Sequence, residues 1–195
     1  MGILSDLGMP VFSAGGMQDI DPATHKLQVG GLAAETQFSL EEIKAWPMTA
    51  ADARLTSVSG FSVRALWQGA SWREFLAHVE LEPEASHATF VSAGGGYQTT
   101  VSLSDLDHPR VLLCYAVGDL PLEPAYGGPL RMFIPHLWGY KSAKWLARIE
   151  FADRMQGGYW EDRGYPREAA IQPGSTLDIN TRERRKISGG EVTEF

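Results

Sequence analysis

The stretch Gly127-Gly128-Pro129-Leu130-Arg131-Met132-Phe133-Ile134-Pro135-His136-Leu137-Trp138-Gly139-Tyr140-Lys141-Ser142-Ala143-Lys144-Trp145 carries the most information in this chain. It sets Arg131, Lys141 and Lys144 among glycines, a hydroxyl and aromatic rings, with His136 the only histidine beside them. Leu130–Ile134 reads as a short strand entered through a Gly-Gly-Pro turn, which fixes the backbone of Arg131. A guanidinium held in this way can form a bidentate pair with a phosphate. The turn around Ser142 can present backbone N–H groups to an anion, and Lys144 adds a point charge. The segment therefore predicts a seat for a phosphorylated ligand. The competing reading is an exposed basic hairpin.

Outward from this segment, composition sets the frame. A chain of 195 residues is most economically one domain, and 44% hydrophobic content with six tryptophans predicts a packed core. Net charge is −7, which disfavours non-specific nucleic-acid binding and means that an anion site must be built from local cations. Cys114 is the only cysteine, so neither an intramolecular disulfide nor a zinc cluster of several thiolates can form. It lies in the apolar run Val111–Val117, where a buried, inert thiol is expected. No run approaches the ~20 apolar residues of a membrane span. The N-terminus lacks the basic and apolar regions of a secretory signal, so the chain as written reads as cytoplasmic, or as periplasmic if a leader was removed.

Turn and cap signals divide the rest. Residues 1–17 look like an irregular arm rich in Gly and Met. Lys26–Val29 alternates as a strand, and Ser39-Leu40-Glu41-Glu42 and Ser71-Trp72-Arg73-Glu74 are capping boxes that open short helices. The second helix carries Trp72, Phe75, Leu76 and Val79 on one face. Ala88–Ser92 and Gln98–Leu103 form a hairpin-like pair around Gly94-Gly95-Gly96, and Val111–Val117 and Leu120–Leu122 form another around Gly118-Asp119. Trp145–Phe151 alternates as a further strand. Short helices between runs of strands predict an α+β fold. Residues 168–195 are poor in hydrophobics and carry the charge run Arg182–Lys186, which reads as a solvated polar tail or, if it docks, as a contact with a second copy of the chain.

Several of these segments together resemble the molybdopterin-binding domain of the sulfite oxidase family, which includes bacterial methionine sulfoxide reductase catalytic subunits. The resemblance rests on Gly127–Arg131, Ile134-Pro135-His136 and Gly139–Trp145, and it extends to Ile20–Thr24 with Val29–Leu32, Ser39–Trp46, Trp67–Trp72 and Gly158–Tyr165. It spans roughly residues 18–167 and implies a sulfite-oxidase-type α+β fold of mixed sheets with short helices. It further implies a molybdopterin cofactor with molybdenum, oxygen-atom transfer on a small-molecule substrate, and an external electron-transfer protein, since no haem or iron–sulfur motif is present. Arg131, Ser142, Ala143 and Lys144 are the implied pterin-phosphate seat, with Lys141 and His136 beside it and Ser92 near a further hydroxyl contact.

The chain also departs from the family. Aligning Gly60 and Ser62-Val63 on the family turn places Ser57 where the metal-ligating cysteine stands, and a neutral hydroxyl is a weak, hard ligand beside a thiolate. Tyr126 replaces an asparagine that contacts the pterin in some members, and Ser13–Gln18 replaces an Arg-Asn-His stretch. No arginine lies between Ser57 and Ser62, which disfavours sulfite as substrate. Two expectations follow: an oxidoreductase with altered metal coordination at Ser57, or a metal-free binding or scaffold protein that takes an anionic small molecule.

Overall fold

The computed structural model describes residues 2–193. In chain order its elements are α1 (Ile3–Asp6), β1 (Lys26–Gly31), β2 (Thr36–Ser39), α2 (Leu40–Ala45), β3 (Met48–Ser57), β4 (Phe61–Ser71) and α3 (Trp72–Leu76). There follow β5 (His87–Ser92), β6 (Gln98–Ser102), α4 (Leu103–Leu106), β7 (Leu112–Val117), β8 (Leu120–Pro121), β9 (Arg131–Phe133), β10 (Leu146–Ala152), β11 (Gly174–Leu177) and β12 (Arg184–Ile187). This is the expected α+β class. One five-stranded sheet runs β2-β1-β10-β5-β6, with β1 and β10 parallel, and a second runs β3-β4-β7-β8 with β9 also paired to β7.

Both cap signals start helices, the first as a full capping box and the second through the Ser71 side chain alone. Ser39 Oγ accepts from Glu42 N at 3.2 Å while the Glu42 carboxylate accepts from Ser39 N, and Ser71 Oγ accepts from Glu74 N at 3.1 Å. The second of these helices ends sooner than its apolar face suggested: Val79 packs in the core from beyond α3. The principal core lies between the two large sheets and gathers Trp72, Phe75, Phe90, Ile149 and Phe151. Strand β7 alternates between this core, through Leu113 and Tyr115, and a second cluster, through Leu112 and Cys114, that also holds Leu4, Trp67, Tyr126 and Phe133. Burial of both faces explains its unbroken apolar sequence.

Three regions differ from the sequence reading. The long β3–β4 hairpin, paired from Met48–Ala70 to Ser57–Phe61, had no conspicuous alternation of large residues because small alanines fill its inward positions. The N-terminal arm contains α1, and Leu4 and Met9 anchor it in the second core. Residues 168–193 are not a solvated tail: β11 pairs with β12, and Ile171, Ile187 and Val192 enter the principal core. Few hydrophobics suffice there because Ala169, Ile171, Ile187 and Val192 are all buried.

Candidate functional site

A cavity of about 590 Å³ opens where the N-terminal arm, the β3–β4 turn, the segment Gly139–Trp145, the aromatic segment Tyr159–Tyr165 and the C-terminal hairpin converge. Among the residues singled out from sequence, Ser57, Ser92, Arg131, Ser142 and Lys144 line it. Sequence distance conceals this grouping, since the arm and the hairpin lie at opposite ends of the chain.

Arg131 projects from β9 and is 1% exposed. Its guanidinium donates to the carbonyls of Met132 (3.2 Å), Tyr126 (2.7 Å) and Ser142 (2.9 Å) and lies 5.6 Å from the Trp67 ring. Burial pulls its pKa down to about 10. Lys144 Nζ donates to the carbonyls of Phe12 (2.8 Å) and Ala125 (3.1 Å) and sits over the rings of Trp145 and Tyr126. Burial, and then the nearby charge of Arg131, push its pKa down to about 7. Neither cation is paired with a carboxylate among the described residues. Buried charge without a counter-charge is costly, so this end of the cavity is electrostatically set for an anion.

The backbone around these cations is tightly fitted. Gly127 has φ of +103°, and a Cβ there would lie 2.8 Å from Lys144 Cβ. Trp145 holds a left-handed φ of +48°, uncommon for a bulky residue, and its indole donates to Pro124 O at 2.9 Å. Ser92 Oγ donates to Lys144 O at 2.6 Å, and Ser142 Oγ accepts from Ile134 N at 2.9 Å.

The other residues of the expected seat stand elsewhere. Lys141 turns into the protein and pairs with Glu161 at 2.5 Å, both side chains fully buried, while donating to Thr100 O at 2.7 Å. Burial lowers its pKa and Glu161 opposes that shift. It pins the 3-10 turn Gly139–Lys141 rather than facing the cavity. Ala143 is buried with its carbonyl bonded to Met132 N at 2.9 Å. His136 stacks on His108 at 4.5 Å, away from the cavity; burial, and then His108, lower its pKa.

At the opposite end, Ser57 closes β3. Its hydroxyl is 2.8 Å from Ser59 Oγ and accepts from Ser59 N at 3.2 Å. No thiol is near to substitute for it: Cys114 is buried outside the cavity, its thiol pushed up to about 11 by burial. No group of three or more His, Cys, Asp or Glu side chains suited to a metal ion occurs among the described residues.

The structure adds residues that no local pattern marked. Arg185, from the charge run, reaches across the β3–β4 turn and donates to Val58 O at 3.3 Å while pairing with Glu183. Tyr165 donates to Asp178 Oδ1 at 3.2 Å, which ties the hairpin to the aromatic wall. Burial opposes the charge of Asp178, but bonds from Asn180 and Thr181 hold its carboxyl below the usual range. Tyr97 donates to Tyr140 O and lines the same cavity.

The oxidoreductase molybdopterin-binding domain family matches residues 14–160. Uncharacterized oxidoreductase YuiH of Bacillus subtilis is 34% identical over 80% of this chain and 80% of its own length. The mitochondrial sulfite oxidase of Drosophila melanogaster is 27% identical over 83% of the chain and 33% of its own length. The protein-methionine-sulfoxide reductase catalytic subunit MsrP of Ralstonia nicotianae is 28% identical over 71% and 47%. The chain spans 57% of the length of a further relative from Azospira oryzae, so it is shorter than most of these proteins. In structure it resembles the sulfane dehydrogenase SoxCD of Paracoccus pantotrophus, with a TM-score of 0.68 at 17% identity over 88% of this chain and 46% of that one, which supports the fold. No helix among the described residues is long and apolar enough to cross a membrane. The resemblance read from Gly127–Trp145 and the segments around it thus holds across three quarters of the sequence, and the chain belongs to the oxidoreductase molybdopterin-binding domain family.

Proposed function

We propose that the chain is a molybdopterin-dependent oxidoreductase acting by oxygen-atom transfer on a small-molecule substrate, with an external protein as electron partner. The observation that carries this reading is the pair of cations, buried Arg131 and half-buried Lys144, which line one end of the cavity with no carboxylate paired to either among the described residues. A pterin phosphate supplies the missing charge. Lys144 makes the direct contact, Arg131 contributes a fixed field and its remaining N–H groups, and the Ser142 hydroxyl is placed to donate. Ser92 holds the Lys144 carbonyl and so positions the seat from behind.

The fit differs at the metal end. Ser57 and Ser59 offer neutral hydroxyls bonded to each other, which do not match a thiolate-held molybdenum. When bound, the cofactor supplies two-electron oxygen-atom chemistry. The chain's own part is to bind and orient it, with the Tyr140, Trp160 and Tyr165 rings excluding water from one side.

The test is metal analysis together with pterin fluorescence after denaturation, on protein made in a host that synthesises the cofactor. The expected result is near one equivalent of both, falling about tenfold or more in Lys144→Ala. Absence of pterin from the wild-type protein overturns the seat. Pterin without molybdenum overturns the oxidoreductase and leaves a binding protein.

A further inference from the structure

The C-terminal hairpin lies beyond the family-matched residues 14–160, yet Asp178 and Arg185 form part of the cavity wall. Arg185 comes from β12 and lies over the turn that follows Ser57. A Cβ placed on Gly60 would stand 2.7 Å from Arg185 Nε and 2.9 Å from its Cζ, and Arg185 also donates to Val58 O at 3.3 Å. Gly60 therefore leaves room for a guanidinium that arrives from 127 residues downstream of Val58. Its side chain is 19% exposed, whereas Glu183, the carboxylate it holds, is 60% exposed. A largely desolvated guanidinium paired with a solvated carboxylate can exchange that carboxylate for another at little cost, because the leaving group regains its hydration. Glu183 thus acts as a stand-in that shows which chemistry the position accepts.

The wall that Arg185 shares is mixed: the hydroxyls of Ser57 and Ser59 and the carboxylate of Asp178 on one side, aromatic rings on the other. Phe61 follows Gly60 directly and stacks on Phe12 at 5.8 Å, and Trp160 and Tyr165 lie at 5.5 Å from each other on the same cavity. Tyr165 is fixed by its bond to Asp178 and accepts from Ile179 N at 3.4 Å, so the aromatic wall and the hairpin form one unit. A bare inorganic ion would leave these rings without a partner.

We infer that Arg185 is a specificity-determining residue that binds the carboxylate of an organic substrate, whose apolar body packs against Phe61 and the rings opposite, at the Ser57 end of the cavity. This rests on the cavity being the active site of the proposed oxidoreductase, but its test does not depend on turnover. In the free protein Glu183 occupies the guanidinium; the substrate carboxylate displaces it into solvent. The charge of the site is thereby supplied from the far end of the chain and not from the residues that follow Ser57.

The experiment is calorimetric or NMR titration of the full chain with benzoate, benzamide and sulfate as probes. Benzoate is expected to bind more tightly than either of the other two. Arg185→Gln should weaken benzoate about tenfold, the loss of one charge-assisted contact, and leave benzamide unchanged. Glu183→Gln should strengthen benzoate severalfold by removing the internal competitor, an outcome that a merely structural role for Arg185 does not produce and that misfolding cannot mimic. Lys144→Ala should weaken binding of inorganic phosphate and leave benzoate unchanged, so failure of the phosphate seat is read separately. Equal binding of benzoate and benzamide, or no gain in Glu183→Gln, overturns the assignment. Sulfate binding as tightly as benzoate overturns its organic part.

Discussion

The two ends of the cavity handle charge in opposite ways. At one, buried Arg131 and half-buried Lys144 lie against carbonyl oxygens and rings and have no paired carboxylate among the described residues. At the other, Arg185 is paired with Glu183 above a turn of hydroxyls. A cation buried without its counter-charge is destabilising until an anion arrives, so it marks a permanent resident. A cation already paired to a solvated carboxylate is satisfied in the free protein, so it suits a ligand that comes and goes. The first end resembles a cofactor seat and the second a substrate contact.

The most severe way to break this contrast is to remove what supports the cofactor end. Lys141 and Glu161 form a fully buried pair directly behind the Gly139–Lys141 turn, and Thr99 also donates to Glu161. Lys141→Met leaves that carboxylate buried and unpaired, and a loss of about 3–5 kcal/mol is expected from chemical denaturation. The double variant Lys141→Met/Glu161→Gln should recover most of it. A loss under about 1 kcal/mol in the single variant would place the pair in solvent and detach the turn from this support.

Much of this was legible in the sequence, and the limits have physical causes. The capping box at Ser39, the N-cap at Ser71 and the strand Val111–Val117 are local signals, encoded within a few residues; the first and third appear as read, while Ser71 caps its helix without the return bond from Glu74, which pairs with His78 instead. Gly127–Trp145 announced an anion seat because glycines and cations cluster there in sequence. Which cation faces the cavity was not legible. Lys141 and Lys144 differ only in whether a carboxylate waits inside the protein, and Glu161 lies 20 residues from Lys141. The sequence marks Arg131 as a ligand for phosphate, whereas its three carbonyl contacts give it a structural load as well. Arg131→Ala therefore destabilises the fold in addition to any effect on ligand, and Lys144→Ala is the cleaner probe. Arg185 was hidden in a charge run, since nothing within its neighbourhood indicates the turn at Gly60.

Proton linkage offers a finer test of the cofactor end. The Lys144 pKa sits at about 7 in the folded chain, below the ordinary lysine value of 10.5, because burial and Arg131 disfavour its charge. Below about pH 7 the group is protonated in both folded and unfolded chains. Between the two values the unfolded chain binds more protons, so stability of the ligand-free protein should rise with pH across that window. Phosphate binding has the opposite slope, because the bound anion restores the ammonium and binding takes up a proton. Phosphate affinity should fall above about pH 7, by at most about tenfold per pH unit, and the dependence should vanish in Lys144→Met. A pH-independent affinity in the wild-type protein would mean that Lys144 is not the contacting cation. Benzoate, held by Arg185, should show no such slope.

The smallest effect is expected at Ser57, and it separates the two ends most directly. Its hydroxyl accepts from Ser59 N and is bonded to Ser59 Oγ, so Ser57→Ala removes two hydrogen bonds, each worth about 0.5–1.5 kcal/mol in unfolding free energy. If the pterin is held by its phosphate, pterin content in Ser57→Ala should equal that of the wild-type protein within error. A parallel fall in pterin and molybdenum would make Ser57 an anchor of the whole cofactor and erase the distinction between the ends. Ser57→Cys supplies the thiol that position 57 lacks. A thiolate is a far better donor than a neutral hydroxyl to a soft redox metal, so the cysteine variant should retain molybdenum through dialysis better than the wild type while pterin retention stays the same. That split, metal responding to residue 57 and pterin to residue 144, is what two independently built ends require.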